Sequence, residues 1–196
     1  MSSDIQSVPR RPGGRSARVR RTVLDATLAA LHEVGMEAVS IADISKRASV
    51  HETSIYRRWG NRQNLIVEAL LEEAAELMPV PDTGRLHDDL LAYARSLAVY
   101  LNSPIGKAFD RALAATGDDP VSADLRDQYW RARYARSGAI IERAIARGEL
   151  PATVNPQHTI EMLVSPLHFR IVMTREPIEP DLPNRIVETL LPGLCR

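Results

Sequence analysis

The stretch Ser40–Leu65, SIADISKRASVHETSIYRRWGNRQNL, decides how the first third of the chain folds. Ile41, Ile44 and Ala48 recur at i, i+3 and i+7, the spacing of one apolar stripe on a short helix. Ser40 stands before that stripe as an N-cap, with Asp43 three positions on as a weak capping-box partner. A tight break follows at Ser49-Val50. The spacing then predicts a helix over 52–59 whose Ile55 and Trp59, at i and i+4, face inward. Gly60-Asn61 breaks it, and another helix begins near Arg62. Two short helices, a brief turn and an amphipathic second helix form a helix-turn-helix. One face of the second helix has to pack on a small core, and the other has to offer polar groups to base edges.

The outer face suits that task. Thr53 and Arg57 lie opposite Ile55 and Trp59 at about 100° per residue. Ser54 and Tyr56 flank them, and Glu52 stands at the N-terminal end, the end that enters a major groove. Arg57 can donate to guanine or to a phosphate. Glu52 can accept from a cytosine amino group, and Thr53 can hydrogen-bond or touch a thymine methyl. Tyr56, Arg58 and Arg62 suit phosphate oxygens, Arg62 by standing at the positive end of the next helix. Ser40, at a helix start, is a further phosphate candidate.

Upstream, Leu24, Leu28 and Leu31 form one stripe of a helix beginning near Arg18, and Gly35 is placed to end it in a left-handed conformation. Residues 1–17 read as a flexible basic arm, with Arg10, Arg11 and Arg15 among prolines and glycines. Such an arm is either a plain tail or a strand laid along DNA. The chain of 196 residues carries 25 basic and 25 acidic groups, but unevenly. Residues 1–63 hold 11 Lys+Arg against 6 Asp+Glu, and residues 64–196 hold 14 against 19, giving +5 and −5. A basic head on an acidic body fits a polyanion partner for the head alone.

Downstream, Leu65, Ile66, Ala69, Leu70 and Leu77 continue a fourth helix that Pro79 and Pro81 end. Further helices are expected near 84–102, 104–116, 121–148, 156–174 and 182–191, between breaks at Pro104, Gly117–Pro120, Gly148–Pro156 and Pro177–Pro183. No segment alternates like a strand. The fold class is therefore all-α, with about nine helices. Its expected divisions are the arm 1–17, a three-helix DNA-binding domain 18–63 and a larger helical domain 64–196. Within the larger domain Tyr93, Leu97, Tyr100, Phe109, Trp130, Tyr134 and Phe169 are either plain core or the lining of a cavity for an apolar or aromatic ligand. In 156–174 the apolar residues run nearly all the way round the helix, so burial on more than one side is expected. Ile160, Leu163, Val164, Leu167 and Ile171, with Ile186 and Leu190 of the last helix, are assigned either to a dimer interface or to the core of one subunit.

Other chemistries find little support. No run approaches the roughly 18 apolar residues of a membrane span. The polar, basic start predicts no signal peptide, and the single cysteine, Cys195, allows no intrachain disulfide, so a cytoplasmic protein is expected. His51-Glu52 lacks the second histidine of a zinc-protease motif. His158 and His168 fall on different faces of a regular helix, and the pairs Glu72-Glu73 and Asp88-Asp89 read as solvated. No metal, cofactor or enzymatic activity is expected.

Taken together, Arg20 to Ile66 resembles the DNA-binding domain of TetR-type transcriptional regulators. The likeness runs through VLDATLAALHEVG, SIADISKRASV, SIYRRW and NRQNLI. The family's hallmark tyrosine falls on Tyr56, its aromatic core residue on Trp59 and its basic helix-four residue on Arg62. Arg20, opening the matching stretch, joins the candidate DNA contacts. There are three departures. Ser49 stands where glycine is common in the turn, His51 replaces a frequent serine at the cap of the recognition helix and so becomes a candidate base or phosphate contact, and Thr53 replaces a frequent glycine. The later stretch GELPATVNPQHTIEMLVSPLHFRIV is similar to one subgroup of the family's regulatory domains, in which a proline-containing apolar helix helps form the dimer. The resemblance implies a homodimeric repressor that binds a palindromic operator and is released by a small-molecule effector. The alternative is a helical small-molecule-binding protein without operator function.

Overall fold

A computed structural model describes residues 14–115, 117 and 119–194. The expected arm falls largely on residues 1–13, and the sole cysteine is Cys195; both lie outside the described residues. The described residues form ten α-helices and one π turn, with no strand. They divide into two compact units, one through Ile66 and one from Val67. No described helix is long and apolar enough to cross a membrane.

The first unit contains α1 (Gly14–Ala38), α2 (Ile41–Ala48), α3 (Glu52–Trp59) and the start of α4 (Arg62–Leu77). α1 begins at Gly14 rather than Arg18, and Gly35, at φ 79°, interrupts it before Ala38. Its buried stripe is Val23, Leu24, Thr27 and Ala30, while Leu28 and Leu31 are only half-buried. The leucine spacing thus located the helix but not its innermost line. Thr27 is fully buried, and its hydroxyl donates to Val23 O at 2.8 Å. Ile41, Ile44, Ala48, Ile55, Trp59, Leu65 and Ile66 complete this small core.

Caps and turns fix the short helices. Ser40 Oγ accepts from Asp43 N–H at 3.1 Å, but Asp43 does not close a capping box; its carboxylate pairs with Arg47 at 2.6 Å. Arg47 also reaches Glu33 at 2.6 Å, tying α2 to α1, and these two carboxylates raise its pKa. Ser49 ends α2 with φ 52° and ψ 42°. The turn behind it is locked twice: Val50 N–H donates to Ser45 O (3.1 Å), and Ser45 Oγ donates to Val50 O (2.7 Å).

The second unit contains α5 (Leu86–Asn102), α6 (Pro104–Ala114), α7 (Pro120–Ser137), α8 (Ala139–Ala146), α9 (Pro156–Phe169), the π turn Arg170–Thr174 and α10 (Leu182–Leu194). α5 is central and packs against α6, α8, α9 and α10. It buries Leu86, Leu90, Tyr93, Ala94, Leu97 and Leu101 against Ile140, Ile141, Leu163 and Leu167. Two expected helices are divided. The segment 121–148 breaks at Gly138, where an added Cβ would lie 2.9 Å from Tyr134 O and 3.4 Å from Pro156 Cβ. The carbonyl of the preceding turn leaves no room for a side chain there, and Pro156 at the start of α9 lies in contact beside it. The segment 156–174 ends as α-helix at Phe169 and finishes in the π turn, which Arg175 closes at φ 58°.

Candidate functional site

In the first unit, α3 is held by its inner face alone. Ile55 is fully buried and Trp59 is 6% exposed, so the helix cannot roll without losing its anchors. Glu52, Thr53, Tyr56, Arg57 and Arg58 are exposed, Ser54 is half-buried at the side, and Tyr56 presents 48% of its surface. Arg57 has no hydrogen-bond partner among the described residues. Arg58 is steered instead: Nη1 donates to Ser16 Oγ at 3.2 Å, and its guanidinium lies 5.4 Å over the Trp59 ring. His51 precedes α3 without a side-chain capping bond, which leaves its ring exposed and uncommitted to the helix. A shallow groove opens between the start of α1 and this end of α3, edged by Ser16, Ser49, His51, Ser54, Arg57 and Arg58. Ser40 is exposed and keeps its O–H available after accepting the cap bond. Arg20 is half-buried on α1.

Arg62 requires a correction. It is half-buried, and its guanidinium donates to three backbone carbonyls, Val39 O at 2.6 Å, Met36 O, and Glu37 O at 3.3 Å. These carbonyls belong to the end of α1 and the link to α2, so Arg62 pins that corner to the first turn of α4. The expected role was phosphate binding. The residue type was read correctly as a donor, but its acceptors are internal and lie more than twenty positions earlier in the chain. The adjoining turn is fastened similarly: Asn61 Oδ1 accepts from Asn64 N–H at 2.8 Å, and Asn64 Nδ2 donates to Trp59 O at 2.8 Å.

In the second unit a crevice lies between α5, α6, α7 and α9. Tyr93, Leu97, Tyr100, Phe109, Trp130 and Tyr134 all line it. Phe169 does not; it is 55% exposed and lines an outer groove with Val172 and Met173. The crevice and the outer groove share Trp130, Tyr134, Val164, His168 and Asp110 as a common wall. The rings form a continuous array. Phe109 and Tyr129 meet edge-on at 5.5 Å, Tyr129 and Trp130 at 5.3 Å, and Trp130 stacks on Tyr134 at 5.6 Å. Burial pushes the Tyr100, Tyr129 and Tyr134 hydroxyls above the usual tyrosine range, so they remain neutral donors. The cavity between them measures only about 20 Å³, enough for one or two waters. A larger guest has to part these walls.

Sequence reasoning missed the charged residues of this crevice. Arg133 is 6% exposed and donates to Tyr93 Oη at 2.8 Å. Asp110 is 5% exposed, and its Oδ1 accepts from His168 Nδ1 at 2.8 Å. A signal existed, since Arg133 follows Tyr129 and Trp130 at i+4 and i+3 and so shares their face, but a charged helical residue defaults to the solvent side.

Of the two readings for the apolar residues of α9 and its π turn, dimer interface or core, the structure favours core. Ile160, Leu163, Val164, Leu167 and Ile171 are each at most 5% exposed and belong to the core of one subunit. The apolar surface on α9 is its other side, where Met162 is 61% exposed. Met162 and Pro166 border a groove with Leu182, Ile186, Leu190 and Leu194 of α10. Ile186 and Leu190, at 9% and 8% exposed, form its floor. Among the described residues no group of three or more His, Cys, Asp or Glu is arranged to hold a metal ion.

Comparison with known proteins agrees with this architecture. Residues 23–69 match the family model described as bacterial regulatory proteins, tetR family, and residues 80–190 match the tetracyclin repressor-like C-terminal domain. The HTH-type transcriptional regulator AqdR of Rhodococcus erythropolis is 34% identical over 91% of this chain and 86% of its own length. The HTH-type regulator YdeS of Bacillus subtilis (strain 168) is 27% identical over 97% of this chain and 96% of its own. The crystal structure of the TetR family transcription regulator SCO0332 shares the fold, with a TM-score of 0.75 and 24% identity over 91% of this chain and all of that one. With its helix-turn-helix followed by a helical C-terminal domain matched over more than half its length, the chain belongs to the TetR family of DNA-binding transcriptional regulators.

Proposed function

We propose that the protein is a homodimeric repressor that binds a palindromic operator and releases it when a small molecule enters the second unit. The observation that carries the DNA-binding half is α3, anchored by Ile55 and Trp59 while Glu52, Thr53, Tyr56 and Arg57 remain exposed on its other face. In this reading Arg57, Glu52 and Thr53 face base edges, and Tyr56, Arg58, Ser40 and His51 face phosphates or flanking bases. Arg20, half-buried on α1, is a further candidate contact, and Arg62 supports the head from inside. Two subunits would set their α3 helices in successive major grooves, about 34–36 Å apart or a multiple of that. The apolar groove between α9 and α10 supports self-association, because a face with Met162, Pro166 and Leu194 in water is best covered by its own copy across a two-fold axis. The crevice in the second unit supports the effector role. Widening it shifts the population of helix arrangements, and operator affinity follows if only one arrangement fits both grooves.

Selection of bound sequences from a random duplex pool, repeated at two salt concentrations, tests the reading. An enriched palindrome with steep salt dependence is expected. A folded dimer that enriches nothing, or binds every duplex equally, would overturn operator recognition.

A further inference from the structure

Two opposite charges face the crevice of the second unit, and neither is fully satisfied by the protein. Arg133 donates from Nη2 to Tyr93 Oη at 2.8 Å and to Met78 Sδ at 3.8 Å. Its other N–H groups have no hydrogen-bond partner, and no carboxylate lies within ion-pair distance, among the described residues. Asp110 Oδ1 accepts from His168 Nδ1, but its buried Oδ2 has no hydrogen-bond partner. Both side chains are more than nine-tenths buried and line the same crevice, yet they do not pair with each other.

A cation with unused donors and a carboxylate with an unused acceptor restrict what can occupy the space between them. A hydrocarbon entering the crevice seals both groups from water and replaces none of their hydrogen bonds, so it binds against two desolvation penalties. A cationic guest pairs with Asp110 but is repelled by Arg133 and leaves its unused donors without an acceptor. An anionic guest supplies the missing counter-charge, and an acid group matches the planar fork of a guanidinium. A separate O–H or N–H on the same guest completes Asp110 Oδ2. The surrounding rings, Phe109, Tyr129, Trp130 and Tyr134, favour a flat aromatic body.

We propose that the effector is a planar aromatic acid carrying a separate hydrogen-bond donor, with its acid oxygens on Arg133 and its donor on Asp110 Oδ2. This rests on the reading of the second unit as an effector domain and sharpens the expectation of an apolar or aromatic ligand. Entry is from the outer groove, because Trp130, Tyr134 and His168 form the wall common to both spaces. Trp130 and the His168 ring meet edge-on at 5.3 Å, so parting this pair opens the crevice.

A matched probe set tests the proposal by calorimetry on the full-length protein without DNA. Naphthalene carries neither group, 2-naphthol the donor and 2-naphthoate the acid. The 3-hydroxy and 6-hydroxy isomers of 2-naphthoate carry both, at short and long spacing. At least one hydroxynaphthoate is expected to bind tenfold or more tightly than naphthalene, with 2-naphthoate between. Arg133→Met is expected to weaken the acids at least tenfold and leave naphthalene unchanged or tighter, which also shows that the variant folds. Asp110→Asn is expected to weaken the hydroxynaphthoates several-fold and spare 2-naphthoate. Naphthalene binding as tightly as the acids, acids indifferent to Arg133→Met, or no binding by any of the set would each overturn the proposal. Release of the selected operator is measured separately. Acid binding without release supports the ligand class and removes the repressor-release reading, whereas release by naphthalene alone keeps that reading and removes the ligand class.

Discussion

Arg57 and Arg62 are both arginines of the helix-turn-helix region, yet their surroundings assign them opposite work. Arg57 is exposed on α3 with no described partner, so its five N–H donors are available to DNA. Arg57→Ala is expected to weaken specific binding by about 1–3 kcal/mol, concentrated at one base position if it reads a guanine. A uniform loss across all sequences, in competition binding with single-base variants of the operator, would reassign it to phosphate. Arg62 holds the carbonyls at the end of α1. Arg62→Met is expected to destabilise the head by about 1.5–3 kcal/mol through lost charge-assisted hydrogen bonds, seen in chemical denaturation. The salt slope of operator binding should stay the same. A slope smaller by about one unit with unchanged stability would return Arg62 to the phosphates.

At the scale of elements, the short helices depend on their ends. Ser49 closes α2 in the left-handed region, where a Cβ is strained and glycine is not. Ser49→Gly is expected to stabilise the head by about 0.5–1 kcal/mol, because relief of that strain outweighs the added freedom of the unfolded chain. A lower denaturation midpoint would show that the Ser49 side chain contributes more than its backbone costs. α5 is capped from a distance. Arg85, just ahead of it, offers no side-chain cap, but Glu149 Oε2 accepts from Leu86 N–H at 2.8 Å. That N–H, with Arg147 beside it, holds the Glu149 carboxyl below the usual glutamate range. Folding therefore favours the ionised form. The contribution is complete above the ordinary glutamate pKa and disappears as pH falls through the lowered one. Glu149→Gln is expected to cost about 1 kcal/mol at neutral pH and progressively less in acid, measured as Tm against pH. An equal cost at every pH would exclude the carboxylate as the cause.

For the whole molecule, the proposed dimer has to be built on an apolar face. α9 turns Ile160, Leu163, Val164 and Leu167 into its own core and leaves Met162 and Pro166 beside α10. Met162→Glu places a charge on that groove without touching the core. It is expected to weaken self-association at least tenfold, about 1.4 kcal/mol, in sedimentation velocity, and to reduce operator affinity because one head reads only one half-site. An intact dimer would move the interface elsewhere. Proline at the first turn and an Asn155 cap set where α9 begins, which fixes the face it leaves outside.

Neighbouring residues determined much of this protein in advance. The spacing of Ile41, Ile44 and Ala48, the Ser40 cap, the turn at Ser49 and the anchors Ile55 and Trp59 act within one or two helical turns, so a linear reading finds them. The same holds for the helical character of the second unit. Only the tertiary structure decided which line of α1 is innermost, that Arg62 spends its charge on carbonyls of α1, that α9 packs Ile160, Leu163, Val164 and Leu167 into its own core, and that Arg133 and Asp110 are buried. Burial of a charge depends on what other helices bring against it, and those helices lie tens of residues away along the chain. Periodicity records the rotation of a side chain about its own helix axis, whereas counter-charge, cavity and interface depend on how separate axes pack.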